Sequence, residues 1–220
     1  MTVTWSHSTL KAYETCPLQF YEVKVAKNYP FTDTQHTLYG KEYHSAVEGY
    51  INGFALPPQF EFTRPVIDAL LAKPGRKLAE YEMGVTIDLE PCDFHAENRW
   101  ARGIADLIII DDDNLTARVV DFKTGGNKYP DTDQLKLMSL LVFAHFPHIR
   151  SVNSALLFVV QNSMEKLHME RSEAGPAWWK YRERVAKLEA SYTNGVWNPN
   201  PSGLCKKHCV VQSCPFNGRN

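Results

Sequence analysis

Residues 101–123 read ARGIADLIIIDDDNLTARVVDFK, and their reading decides the fold. Two runs rich in Ile, Val and Leu, 101–110 and 116–123, are divided by Asp111 to Asn114, a cluster of turn formers, which predicts an antiparallel hairpin. Side chains alternate along a strand with a period of two. Asp121 and Lys123, flanking Phe122, therefore project from one face and set a carboxylate beside an ammonium. With the turn centred on Asp112-Asp113, Asp106 falls across from Val119, one diagonal step from Asp121 and on its face. A slip of one residue would turn Asp106 away, so the register decides whether the two carboxylates converge.

Convergent carboxylates beside an ammonium suit Mg²⁺ or Mn²⁺, hard cations that take oxygen ligands and keep waters for a substrate phosphate. The chemistry this predicts is phosphodiester hydrolysis. The cation acidifies a bound water and offsets charge on the phosphorane, while Lys123 orients the nucleophile or stabilises the transition state. D-x-K by itself recurs freely as an exposed ion pair on an edge strand. Its company sharpens it. Gly103-x-x-Asp106 precedes it on the first strand, and Gln134 opens the helix that follows. Upstream, Gly40-x-x-x-His44 leaves room one helical turn from an imidazole, where a metal or a DNA backbone can approach.

Outward from the hairpin the chain alternates helix and strand. Residues 6–27 read as a helix broken at Cys16-Pro17, with Ser8 as N-cap and Pro17 opening a second segment. Residues 37–54 read as an amphipathic helix with Tyr39, Tyr43, Val47, Tyr50 and Phe54 on one side, 64–73 as a short helix ended by Pro74-Gly75, and 81–89 as a strand. Downstream come an apolar helix at 131–146, a buried strand at 151–161, an edge strand at 166–171 and a long helix at 176–192. This order predicts an α/β fold, a mixed sheet flanked by helices.

With 220 residues, 44% hydrophobic and 22% charged, the chain supports one sizeable core, and a single domain spanning 1–220 is expected. Within it, 37–195 reads as the core and 1–30 with 196–220 as a lobe at the chain ends. No apolar stretch approaches the roughly 20 residues that span a bilayer, and MTVTWSHSTL carries no signal pattern, so a cytoplasmic protein without a membrane partner is expected. Net charge is −1 at a sequence pI near 6.7, which excludes a broadly basic nucleic-acid binder. A DNA-binding surface must therefore be local.

Beyond Gly195 periodicity stops, and residues 198–220 hold three cysteines and three prolines, so something other than a hydrophobic core must order them. Cys205-x3-Cys209-x4-Cys214 is a ligand spacing, and in a reducing compartment it reads as a metal or cluster site rather than as disulfides. A fourth ligand is required, with Cys16, Cys92 and, further off, His208 as candidates. Cys16-Pro17 and Cys214-Pro215 echo the Cys-Pro pairing of iron-sulfur ligands, while four-thiolate zinc fits the spacing equally well. Lys206, Lys207, His208 and Arg219 alongside read as a solvated charge group that can also offer phosphates a basic surface.

In order along the chain, Ser8-x-Leu10-x-x-Tyr13-x-x-Cys16-Pro17, Gly40-x-x-x-His44, Gly103-x-x-Asp106, Asp121-x-Lys123, Gln134 and three cysteines resemble the RecB-like exonucleases of the PD-(D/E)XK superfamily. Similar patterns occur in the AddB nuclease domain, the CRISPR-associated RecB-like nucleases and small phage exonucleases. The resemblance implies a restriction-endonuclease-like core and a Mg²⁺ or Mn²⁺ ion held by His44, Asp106, Asp121 and the backbone carbonyl of Phe122. Lys123 would be catalytic and Gln134 supporting. It further implies a [4Fe-4S] cluster on Cys16, Cys205, Cys209 and Cys214 that joins the two ends of the chain, with Zn²⁺ as the alternative and Cys92 left as a buried thiol. Met138 stands where the family's Q-x-x-x-Y helix motif has tyrosine, and the tail spacing is x3/x4 rather than x2/x5. The implied activity is exonucleolytic hydrolysis of DNA from its ends, on single strands and from 5′ to 3′, alongside recombination or replication proteins. Its rivals are a noncatalytic DNA-end binding or integration subunit that keeps the fold, and a zinc-stabilised interaction protein.

Overall fold

The computed structural model describes residues 2–30 and 32–218. The chain divides into two compact units, one of Asp33–Trp179 and one of Met1–Thr32 with Lys180–Asn220. No helix among the described residues is long and apolar enough to cross a membrane.

In chain order the elements are α1 (His7–Thr15), α2 (Pro17–Phe20), α3 (Gln35–Ile51), α4 (Arg64–Leu71), β1 (Arg76–Thr86), β2 (Pro91–Cys92), β3 (Arg99–Asp111), β4 (Thr116–Lys123), α5 (Asp133–His145), β5 (Ser151–Phe158), β6 (Ser163–Glu170) and α6 (Ala174–Asn194). The strands form one sheet in the order β2-β1-β3-β4-β5-β6. Among the described residues only the β4–β5 pair is parallel. A parallel pair needs a crossover of a dozen residues or more, and α5 supplies it. The result is a mixed α/β fold.

The predicted hairpin forms, with its return strand at Thr116–Lys123 as read from the sequence. Its register differs from the expectation: Ile108, not Asp106, stands opposite Val119, and Leu107 stands opposite Val120. The cause lies in the turn. Residues 112–115 all lie outside the strands, Leu115 takes the left-handed conformation at φ 53°, and the Asp111 carboxylate accepts from Asn114 N–H (3.2 Å) and Asn114 Nδ2 (2.9 Å). This longer loop moves the pairing by two residues. An even shift preserves the face, so Asp106 stays on the side of Asp121.

One face of the sheet buries Leu107, Ile109, Val120, Phe122 and Leu157 against Tyr43 and Val47 of α3, Ile67 of α4 and Phe60. The other face receives α5, which is apolar all round; its Leu135 packs on Leu156 and Phe158. Ser139, fully buried on the same helix, returns its hydroxyl to Leu135 C=O at 2.8 Å. Gly103 is what lets α5 approach β3. A Cβ there would lie 2.2 Å from Met138 Cε and 2.9 Å from Leu141 Cδ1. Met138, in the tyrosine position of the family motif, thus packs onto the sheet.

The unit built from the chain ends is held differently. Ser6, not Ser8, caps α1, accepting from Thr9 N–H at 3.3 Å; Pro17 opens α2 as expected. Trp197 anchors the tail by its ring contacts with Phe20, Tyr21 and Tyr192, at 5.9, 5.3 and 5.0 Å between centroids. Arg184 of α6 grips the Glu14 carboxylate with two nitrogens at 2.7 and 2.8 Å. Other boundaries move by a few residues. β1 begins at Arg76 rather than at 81, and α3 ends at Ile51, leaving Phe54 72% exposed.

Candidate active site

Asp106 lies where the sheet is interrupted on both sides. Toward β4 the ladder ends at Leu107 opposite Val120, and beyond it the Phe122 N–H donates to the Asp106 Oδ2 at 2.6 Å instead of to a backbone carbonyl. A buried amide is thereby satisfied by a side chain, and the carboxylate is fixed between the strands. Within a strand a residue's N–H and C=O point to the same side, so the Phe122 carbonyl is directed to this same gap. Toward β1, Ala79 pairs with Leu107 and Tyr81 with Ala105, which leaves Glu80 opposite Asp106. Glu80 sits at φ 43° in mid-strand. That left-handed conformation is costly for a residue with a Cβ and re-aims the side chain.

Three ligand atoms meet here. His44 Nδ1 lies 3.2 Å from Asp106 Oδ1 and 3.8 Å from Glu80 Oε1. Among the described residues this is the one group of three or more His, Cys, Asp or Glu ligand atoms lying within 4.8 Å of one another. Burial works against the imidazolium of His44, but hydrogen bonds and charge from Asp106 and Glu80 outweigh it and push its pKa up to about 10. Without a cation, that proton balances the two carboxylates.

Asp121, Lys123 and Gln134 form the adjoining half of the site. Asp121 and Lys123 share a face as the alternation predicts, with Lys123 Nζ 2.6 Å from Asp121 Oδ2. Gln134, on the first turn of α5, donates its amide to Asp121 Oδ1 and accepts from Lys123 Nζ at 3.0 Å. One amide thus sets the rotamers of both. Asp121 is 4% exposed, and its pKa rises to about 6 because burial penalises the carboxylate and Asp106 repels it, against the pull of Lys123. Oδ2 has the Lys123 ammonium as its close charged neighbour. A buried carboxylate next to a second carboxylate is a donor set suited to a divalent cation.

Sequence reasoning singled out His44, Asp106, Asp121, Phe122, Lys123 and Gln134, and the fold gathers all of them around the middle of β3 and the C-terminal end of β4. It missed Glu80. No local motif marks that residue, and only the β1–β3 register reveals it.

The four cysteines Cys16, Cys205, Cys209 and Cys214 line one cavity, together with Pro199, Pro201 and Phe216 among others. Cys209 and Cys214 are 7% exposed, and Cys16 and Cys205 half-buried. Backbone N–H groups point at the sulfurs, from Asn200 to Cys16 Sγ at 3.4 Å and from Ser202 to Cys205 Sγ at 3.3 Å. Such donors favour thiolates. Gly218 closes the tail over Lys206, where a Cβ would lie 2.8 Å from Lys206 Cα. Cys92 belongs to the other unit and lines a different cleft beside Tyr81, His95 and His145; it is half-buried rather than buried. His208 is exposed and does not line the cysteine cavity; Arg219 lies outside the described residues.

Comparison with known proteins bears on the same regions. Residues 63–219 match the sequence profile of the PD-(D/E)XK nuclease superfamily, a span that includes every site residue except His44 and Cys16. No curated protein matches the chain. Among solved structures, a "Putative exonuclease" from Eubacterium rectale is 13% identical at a TM-score of 0.52, covering 91% of this chain and 85% of that one. The crystal structure of SSO0001 is 16% identical at a TM-score of 0.44, covering 97% of this chain and 86% of that one.

Proposed function

The chain belongs to the PD-(D/E)XK nuclease superfamily, and from that premise we propose that it is a Mg²⁺- or Mn²⁺-dependent deoxyribonuclease of the RecB-like kind that shortens single-stranded DNA from its ends, from 5′ to 3′. The observation that carries this reading is the joining of His44, Glu80 and Asp106, a possible cation seat, to the Asp121–Lys123–Gln134 triad through the short Asp106–Phe122 link.

His44, Glu80, Asp106 and Asp121, with the Phe122 carbonyl as a further donor, would hold a divalent cation, which would supply Lewis acidity at the scissile phosphate and lower the pKa of the attacking water. The protein's own groups do the rest. Asp106 is locked by the Phe122 N–H and has no freedom to swing away when substrate arrives. Lys123, 34% exposed, is open to solvent, where it meets the phosphate and offsets the charge that develops on it. Gln134 keeps that ammonium in place without neutralising it.

The four cysteines in this reading bind a [4Fe-4S] cluster, with Zn²⁺ as the alternative. Anaerobically purified protein that absorbs near about 400 nm supports the cluster, whereas colourless protein with one zinc per chain supports zinc.

End-labelled linear single strands, linear duplex and closed circular single strands, each with and without Mn²⁺, test the activity. Stepwise shortening of linear single strands that spares circles is expected, and equal cutting of circles would remove the end dependence. Retained cleavage by Lys123→Ala would sink the mechanism.

A further inference from the structure

Between Lys123 and Gln134 the chain leaves the sheet as TGGNKYPDT, residues 124–132, without helix or strand. Both roots of this loop are tied at the site, because Lys123 Nζ donates to Gln134 Oε1 at 3.0 Å. Its middle is tied once more, Asn127 Nδ2 donating to Ser163 Oγ of the β5–β6 hairpin at 2.8 Å. Around Gly125 and Gly126 there is open space, since a Cβ at either would meet nothing within 4 Å. The loop therefore stands off the body of its unit, anchored by the groups that flank the reaction centre.

At its tip is Tyr129, 83% exposed and the most exposed of the large hydrophobic side chains described. Lys128 Nζ lies over its ring, 5.3 Å from the centroid. Pro130 follows and disfavours a helical backbone at Tyr129. A ring in water forgoes roughly 1.5–3 kcal/mol of burial, so a loop rooted at the reaction centre that presents one points to a use for it in binding.

We propose that this loop grips single-stranded DNA at the entrance to the site, Tyr129 stacking on an unpaired base while Lys128 neutralises the neighbouring phosphate. The proposal rests on the nuclease reading and names the form of its substrate. Two arguments select single strands. In a duplex both faces of each base are covered by its neighbours, so a flat ring finds a stacking partner only on an unpaired base. Net charge of −1 gives no general attraction to phosphates, which makes a local ring-and-ammonium pair the kind of contact required.

The test is binding without cleavage. Fluorescence anisotropy of a labelled oligo(dT) of roughly 16 nucleotides, in EDTA, is compared for wild type, Tyr129→Ala, Tyr129→Phe and Lys128→Ala. Tyr129→Ala is expected to bind on the order of 10-fold more weakly. Tyr129→Phe should bind like wild type, and an abasic oligomer should show no difference between Tyr129→Ala and wild type. Lys128→Ala should lower the salt dependence by about 0.7 in slope, the loss of one phosphate contact. Melting temperatures check that the exposed substitutions leave the fold alone.

Equal oligo(dT) affinity of Tyr129→Ala and wild type overturns the proposal, as does an equal loss in Tyr129→Phe or on blunt duplex. The nuclease reading fails separately. Protein that binds oligo(dT) through Tyr129 yet cleaves no DNA in Mn²⁺ removes the activity and leaves the grip standing.

Discussion

The two candidate metal sites are held in opposite ways. Around Asp106 and Asp121 the side chains are positioned by a six-stranded sheet with apolar layers on both faces, and hydrogen bonds from Phe122 and Gln134 fix them with no cation present. Around the four cysteines a small apolar group, Cys209, Val211 and Cys214 with Leu18 and Tyr29, packs beside an irregular tail that Trp197 anchors. The first is a set of side chains that the fold itself positions. In the second, if the cysteines bind a metal or cluster as proposed, ligation would help to hold the surrounding chain. Loss of ligands is therefore expected to stop chemistry in one region and to unfold the other.

The largest effect is expected at the cysteines. If Cys209 is a ligand as proposed, Cys209→Ser removes it from a buried position, and structural four-thiolate sites carry metal-binding free energies of about 10 kcal/mol or more. Limited proteolysis should find the chain cut near residues 198–218, with the Asp33–Trp179 unit intact. An uncut tail at native melting temperature would break the contrast. Next is Lys123→Ala, expected to lower Mn²⁺-dependent cleavage on the order of 10³-fold while the melting temperature moves little, because the side chain is 34% exposed. Loss of folding with that substitution would show that the sheet site also depends on its own charges.

Asp121 sharpens the comparison through pH. Its pKa is raised to about 6, so its proton stabilises the cation-free fold below the unfolded value near 3.8, and that contribution is lost as pH rises through about 6. His44, raised to about 10, keeps its proton over that range. The rise in melting temperature on adding Mn²⁺ should thus be larger at about pH 7.5 than at about pH 5, where the cation competes with both protons. Cation-free Asp121→Asn should melt at or above wild type near pH 7.5, and thermal scans without Mn²⁺ check the sign. The smallest effect is Gly103→Ala, where crowding of Met138 and Leu141 should cost about 1–3 kcal/mol in denaturant titrations with cleavage retained.

What could be read in advance followed the range of the forces. The β4 strand and the shared face of Asp121 and Lys123 come from alternation within eight residues, and they stand as read. Pro17 as a helix start is similarly local. The hairpin register was misjudged by two residues, since Asp112-Asp113 resembles a tight turn whereas Asp111 and Leu115 shape a longer one. That error was harmless only because it was even.

The amino-acid sequence by itself therefore determined the carboxylate–lysine strand, the helices about it and the ligand-forming residue types. Each depends on neighbours a few positions away. The tertiary structure decided which distant residues join them. Glu80 enters the site because β1 pairs with β3 in one register, and Cys16 rather than Cys92 lies with the tail cysteines because the two chain ends fold into one unit. Asp106 itself shows the division. Its presence two residues before Ile108 is written in the chain, but its use as a fixed, shared carboxylate arises where the ladders on both sides of it give way.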